Sequence, residues 1–477
     1  MSGNKGLLSA WMDRHFNWVF PLILLLACIL AYGLLIPWLG FYWDDWPKAL
    51  FAETIGPRAF IHFAAHRPME GWLYILFLSL FKTSPIAWQL YALFWRWASA
   101  VAFWLFARAL WPRRRALPTS AALLFAVYPG FGQTNIALSY YVHFLALTLF
   151  FLSFYFTVCA VRSPAASLRL HAAALGLSLV SILTTDYYYG LELVRPLVIF
   201  LALEAGAPPR GRWRAALGHW SPYLLLTAAA YLWRLGLDAA ESYDISIVDT
   251  LGESPATLGA MLAAMFGDLI QGALTAWTQT IAALANINLG SRVELLGIIL
   301  IPLTAVGFYI FFSRTQPTTE RAAPQALLLG GVALIVGNIP FWASRLEIGL
   351  NFPANRLTLP MAAGAALLLA GLLSYLRSAV LRNAILALLI ALAIGAHFQN
   401  ANAFRQDGED HADFWAGFVA RAPSLAAGTA VLSEQLPLRF FSDDSLTGTF
   451  NLVYPSPDPS RLNNALFFLE LRLGSKV

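Results

Sequence analysis

The sequence predicts an all-α polytopic membrane protein of about 11 transmembrane helices, followed by a small extracytoplasmic α/β domain at the C-terminus. Three observations predict it. The chain is 59% hydrophobic and 14% aromatic with only 12% charged residues, which is more apolar surface than one soluble core can hide. Apolar runs of about 20 residues recur along the chain as far as His397. The loops between those runs alternate in basic charge.

The runs cover residues 18–39, 85–111, 119–137, 141–161, 168–185, 188–204, 217–236, 293–313, 326–343, 358–375 and 383–397. One set of loops carries Lys5 and Arg14, Arg108 with Arg113, Arg114 and Arg115, Arg162 and Arg169, Arg210, Arg212 and Arg214, Arg314 and Arg321, then Arg377 and Arg382. That excess of positive charge marks the cytoplasmic side and puts the N-terminus there. The opposite set faces outward. It holds Asp44 and Asp45, the turn at 130–140, Asp186, the acidic loop 238–253, the loop 345–356 and the C-terminal tail.

Two apolar segments do not fit as spans. Residues 69–81 are too short, and Ser84-Pro85 starts a fresh helix behind them, so this stretch is read as lying along the outer interface. Residues 256–287 are long enough, but Leu258, Met261, Leu262, Met265, Phe266 and Leu269 fall on one stripe with Asp268, Gln271 and Gln279 elsewhere. Counting them as a span would also reverse every later loop, so they are read as interfacial or re-entrant. Leu25-Leu26-Ala27-Cys28 resembles a lipoprotein cleavage box, yet apolar sequence continues to Leu39, so an uncleaved first span is expected. Residues 1–397 then form the membrane domain, with an outer loop at 41–84. Residues 398–477 form the small outer domain, with a helix around 410–420, a strand at 428–433 and an apolar helix around 464–473.

The net charge of +5 comes from loop arginines and lysines and carries no nucleic-acid signal. Cys28 and Cys159 both sit in apolar runs, which argues against a disulfide framework or a thiolate metal site. There is no P-loop, dinucleotide fingerprint or HExxH motif, although His62 and His66 are four apart.

The acidic pair Asp44-Asp45, flanked by Trp43 and Trp46, follows the first span directly. Ionisable residues at membrane depth default to function, and a carboxylate there suits a general base toward a hydroxyl; a solvated helix cap is the plain alternative. His66 and Arg67 suit a phosphate, Arg67 through two parallel hydrogen bonds, against headgroup contact or a salt bridge to Glu70. Gln133, Asn135 and His143 offer hydrogen bonds to a sugar, and interface anchoring is the alternative for the neighbouring tyrosines. Asp186 is a second acid of the outer side. Glu192 and Arg195, three apart, read as an internal ion pair. Arg345, Asn355 and Arg356 suit a lipid phosphate, with headgroup anchoring of Arg356 as the alternative.

With these pieces placed, the chain resembles the GT-C superfamily of integral membrane glycosyltransferases, which includes protein O-mannosyltransferases and the aminoarabinose transferases of lipid A. The resemblance rests on the first span, the long outer loop with Asp44-Asp45, the interfacial helix in that loop, the many-span body and the C-terminal outer domain. It implies that Asp44 or Asp45 is the catalytic base of an inverting transfer. It implies a sugar on a polyprenyl phosphate as donor, a glycan, lipid or protein as acceptor, and action at the outer face of the plasma (inner) membrane. Some members hold a divalent cation, Mg or Mn, on paired acidic motifs; the acids here are adjacent rather than spaced Asp-x-Asp. Two other readings stand beside it: a transporter or flippase of lipid-linked glycans, and a structural membrane subunit without a site.

Overall fold

An apolar chain in lipid must satisfy its own backbone hydrogen bonds, which makes its long runs helices. The computed structural model describes residues 7–203, 208–237, 255–285, 288, 290–315, 323–456, 458, 462 and 464–468. Lys5, Glu204, the acidic loop 238–253, Ile287, Arg321 and residues 469–473 lie outside the described residues.

Among the described residues, nine helices are long and apolar enough to cross a membrane: Arg14–Trp38, Pro85–Leu110, Ala137–Arg162, Pro164–Thr184, Ala256–Ala283, Arg292–Thr315, Ala323–Ala343, Ala354–Leu373 and Ala379–Arg421. By length and composition this is a multi-pass, helical membrane protein.

Three of the expected runs depart from single spans. Residues 119–137 give only the short helix Ala116–Ala126, because Pro129 and Gly130 follow directly and the residue before a proline avoids helical backbone. Residues 188–204 break into a 3-10 turn, Gly190–Val194, and a short helix, Arg195–Ala202, whose second residue is Pro196. Residues 217–236 lie in the long helix Pro209–Leu235, where His219, Ser221 and Tyr223 interrupt the apolar stretch.

The segment read as interfacial or re-entrant, 256–287, contains the helix Ala256–Ala283, which is long and apolar enough to cross a membrane and carries a π-helical turn at Gln271–Thr275. Asp268, which read as part of a polar face, accepts a hydrogen bond from the Trp342 indole at 2.9 Å.

The chain clusters into two compact units. The first comprises Met1–Ala31, Trp95–Gly132 and His143–Phe398. The second comprises Tyr32–Phe94, Gln133–Val142 and Gln399–Val477, so residues 41–84 and the C-terminal segment share one unit.

In the first unit, helices Ala323–Gly337 and Ala362–Leu373 cross through glycines. A Cβ on Gly330 would stand 2.8 Å from the Gly364 carbonyl oxygen, and one on Gly364 would stand 2.8 Å from that of Gly330. Backbones approach this closely in membrane helices only where side chains are absent. Arg195 is fully buried in this unit and donates to Glu192 through two nitrogens, the Nη2–Oε2 bond being 2.8 Å. Its Nη1 donates to the Thr157 hydroxyl at 2.7 Å, and its guanidinium lies 4.1 Å over the Phe154 and Tyr223 rings. The i,i+3 pair expected from spacing is therefore an internal ion pair.

In the second unit, helix α1 (Asp45–Thr54) packs against helix α2 (Asp443–Val453). The contact is close because Gly448 lets the Trp46-Pro47 backbone approach; a Cβ there would meet Pro47 N at 3.1 Å. The expected helix around 410–420 is the end of one continuous helix, Ala379–Arg421, with no break after the apolar part.

Strand β1 (Ala430–Ser433) falls inside the expected 428–433 and pairs in parallel with β2 (Ala465–Phe468), Ala430 opposite Ala465. The apolar helix expected around 464–473 is thus corrected to a strand at 465–468. The four residues of this strand are apolar, and pairing with β1 satisfies their backbone. Trp415, Leu438, Leu446, Phe450 and Leu466 form the core of this part.

Two outcomes are expected. Gly330→Leu costs about 1–3 kcal/mol through overpacking, whereas Gly331→Ala, where no neighbour lies within 4 Å, leaves stability unchanged or higher; thermal unfolding in nanodiscs reads both. Arg195→Met strands the buried Glu192 carboxylate and costs about 3–5 kcal/mol, most of it recovered in the double variant Arg195→Met/Glu192→Leu.

Candidate active site

Two adjacent acids cannot point the same way from the first turn of a helix, and this pair divides. Asp44 occupies the N-cap position of α1, is partly exposed, and makes no side-chain capping bond. Asp45 is the first helical residue and has 0% exposure. The turn ahead of them is strained: Trp43 has φ 47°, the left-handed region that a residue with a bulky side chain rarely enters. Asp45 N donates to Tyr42 O at 2.9 Å, Trp46 N to Trp43 O at 3.2 Å, and Trp43 N to Phe440 O at 3.3 Å, which pins this turn on both sides.

The buried Asp45 carboxylate is held from far along the chain. Its Oδ1 accepts from the Ser139 backbone N–H and from the Ser139 hydroxyl, both at 2.8 Å. Ser139 stands in the first turn of helix α3 (Ala137–Arg162), where the leading N–H groups have no intrahelical acceptor, so Asp45 supplies α3 with its missing cap.

Lys48 lies one turn after Asp45 on α1 and donates to the same Ser139 hydroxyl at 2.8 Å, with its ammonium 5.8 Å over the Tyr74 ring. Burial pushes the Asp45 carboxyl up to about 7; the Ser139 hydroxyl bond, the Lys48 charge and the Ser139 amide bond pull it back down. Its Oδ2 is buried with no hydrogen-bond partner among the described residues.

The turn that carries Ser139 is anchored elsewhere in the same unit. The Tyr74 hydroxyl donates to Leu138 O at 3.1 Å, and Gln89 Nε2 donates to Asn135 O at 2.7 Å and to Gly40 O at 3.3 Å. Trp46 stacks on His411 with ring centroids 4.9 Å apart.

Of the residues singled out in the sequence, Asp44, Asp45, His66, Arg67, Gln133 and Asn135 fall in this unit. Gln133 and Asn135 are buried, and His66 is partly exposed. Arg67 stands 3.7 Å from Glu70, the ion pair that was the plain alternative for it.

Asp186, His143, Arg345, Asn355 and Arg356 belong to the other unit. Asp186 is ion-paired with Arg234 at 2.5 Å. The His143 ring packs 4.4 Å from Tyr187. Arg345 is exposed at φ 49°, Asn355 is buried in a 3-10 turn, and Arg356 is partly exposed.

Sequence reasoning passed over Lys48 and Ser139. Lys48 had a signal, its i,i+3 spacing from Asp45 on one helical face. Ser139 had none, because its partner is 94 residues away.

No group of three or more His, Cys, Asp or Glu is placed to hold a metal ion among the described residues, His62 and His66 included. Asp45 Oδ1 is committed to Ser139. No family model matches the chain, and no curated protein is similar to it.

A pH dependence follows from the buried carboxyl. The folded protein keeps the Asp45 proton up to about pH 7, while the unfolded chain releases it near about pH 4. Between those values the folded state binds more protons, so this contribution to stability is full at low pH and is lost as pH rises toward about 7. Thermal unfolding between pH 4 and 8 should show that fall, and Asp45→Asn should flatten it.

Proposed function

We propose that this chain is a membrane glycosyltransferase of the GT-C kind, which moves a sugar from a polyprenyl-phosphate donor to an acceptor hydroxyl at the outer face of the membrane, with Asp44 as general base. The observation that carries the reading is the division of the acidic pair. One carboxylate is fully buried and anchored, and its neighbour is left partly exposed on a pinned, strained turn. Strain of this kind persists only where the surroundings over-determine it, and it gathers at working sites. The resemblance of the outer loop to that superfamily, the many-helix body and the Arg67 cation in the same unit as Asp44 support the same reading.

The chemistry is an inverting displacement. Asp44 takes the proton of the acceptor hydroxyl, and the oxygen attacks the anomeric carbon. The bond from that carbon to the lipid phosphate oxygen breaks, and the electron pair leaves with the phosphate. Arg67 meets the charge that develops there. Arg67 stands 3.7 Å from Glu70 and in the same unit as Asp44. Gln133 and Asn135 line the turn behind Ser139 and belong to the scaffold of this site.

The test is the full chain in nanodiscs given a radiolabelled polyprenyl-phosphate sugar and a membrane extract as acceptor. Transfer with release of polyprenyl phosphate is expected, and Asp44→Asn should lower its rate by about 10²–10⁴ while thermal unfolding stays unchanged. Movement of the intact donor across the bilayer without release of lipid phosphate, or full activity in Asp44→Asn, would sink the proposal.

A further inference from the structure

The buried face of the acidic pair has its own logic. Ser139 has one hydroxyl proton, and it goes to Asp45; the oxygen accepts from Lys48. Both ends of the hydroxyl are therefore in use, and Asp45, Ser139 and Lys48 close a ring of bonds between the first turn of α1 and the first turn of α3. Asp44 is joined to that ring by one peptide bond. On its other side stands Trp43 at φ 47°, a backbone conformation that persists where its surroundings over-determine it. Any rotation of α1 about its axis swings Asp44 with it.

We propose that Ser139 is a positioning residue: through Asp45 and Lys48 it holds α1 against α3, keeping the strained Trp43–Asp44 turn in place and the Asp44 carboxylate aimed at the acceptor hydroxyl. This rests on the reading of Asp44 as the base. Asp45 then acts through Ser139 and touches no substrate, which gives the two neighbouring acids different jobs. Lys48 offsets the Asp45 charge inside the ring and gives the Ser139 oxygen its second partner. Alanine at 139 keeps the backbone bond to Asp45 but removes the hydroxyl, so Lys48 loses its acceptor and Asp45 one of its two donors. Threonine keeps the hydroxyl.

The experiment uses the full chain in nanodiscs as wild type, Ser139→Ala, Ser139→Thr, Asp45→Asn and the double variant Asp45→Asn/Ser139→Ala. Two readouts are taken: transfer kinetics with a polyprenyl-phosphate sugar, and hydrogen–deuterium exchange of peptides covering residues 41–50. In Ser139→Ala, kcat should fall about 10- to 100-fold with the donor KM unchanged, because a displaced base loses rate and not binding. Ser139→Thr should restore most of the rate, and exchange over 41–50 should rise in Ser139→Ala alone among the two. The double variant should be no slower than the slower single variant, since both changes open the same ring.

A Ser139→Ala enzyme within twofold of wild type, a loss confined to KM or to the folded fraction, or losses that multiply in the double variant would overturn the proposal. If the wild type transfers no sugar, it is the functional reading that fails. The exchange data then decide the clamp by themselves: unchanged exchange over 41–50 in Ser139→Ala refutes it, and raised exchange supports it.

Discussion

A carboxylate with no exposed surface, in a chain built from apolar runs, must be held by donors from its own fold. The second unit depends on that constraint at Asp45. Water is the usual partner of an aspartate, and removing it costs far more than any one contact returns, so burial raises the Asp45 carboxyl to about 7 while the two donors of Ser139 and the neighbouring charge of Lys48 offset part of that cost. The same bonds satisfy an orphan amide at the start of α3. One interaction thereby fixes the loop after the first run to a turn 94 residues further along and holds a strained residue in place beside it.

The first unit solves the same problem in a different way. Arg195 sits among apolar side chains with its guanidinium shared between the Glu192 carboxylate, the Thr157 hydroxyl and the faces of two aromatic rings. Arg96, in the middle of helix Pro85–Leu110, donates its Nε–H to the Ala126 carbonyl at 3.1 Å and lies 4.6 Å over the Phe144 ring. In both cases a delocalised cation is shared among carbonyls, hydroxyls and π-faces. Asp186 has a simpler answer in its ion pair with Arg234. Arg195, Arg96 and Asp45 are thus each tied to named partners, and the partly exposed Asp44, without a capping bond, is the contrast that gives the acidic pair its interest.

Much of the architecture was legible in the chain because hydrophobic length is a local property. Eight of the expected runs became helices able to cross a membrane, and the Glu192–Arg195 pair was readable from its i,i+3 spacing. The misreadings share a cause. Residues 465–468 look helical until β1 offers a partner, and the helix around 410–420 looks separate because polarity changes at His397 while the backbone runs on to Arg421. The acids of the candidate site could be picked out as a pair, but nothing in the local sequence tells which one faces inward.

What the sequence determined by itself was the solvent for each segment: apolar runs of span length, basic loops between them, and an acidic pair where the first run ends. These follow from side-chain chemistry summed over neighbours in the chain. Only the tertiary structure decided that Asp45 is buried and Asp44 is not, that Ser139 and Lys48 belong with them, and that the loop 41–84 shares a unit with the C-terminal segment. The physical reason is that burial and hydrogen bonding are set by which distant segments meet, and a period or a composition carries no record of that meeting.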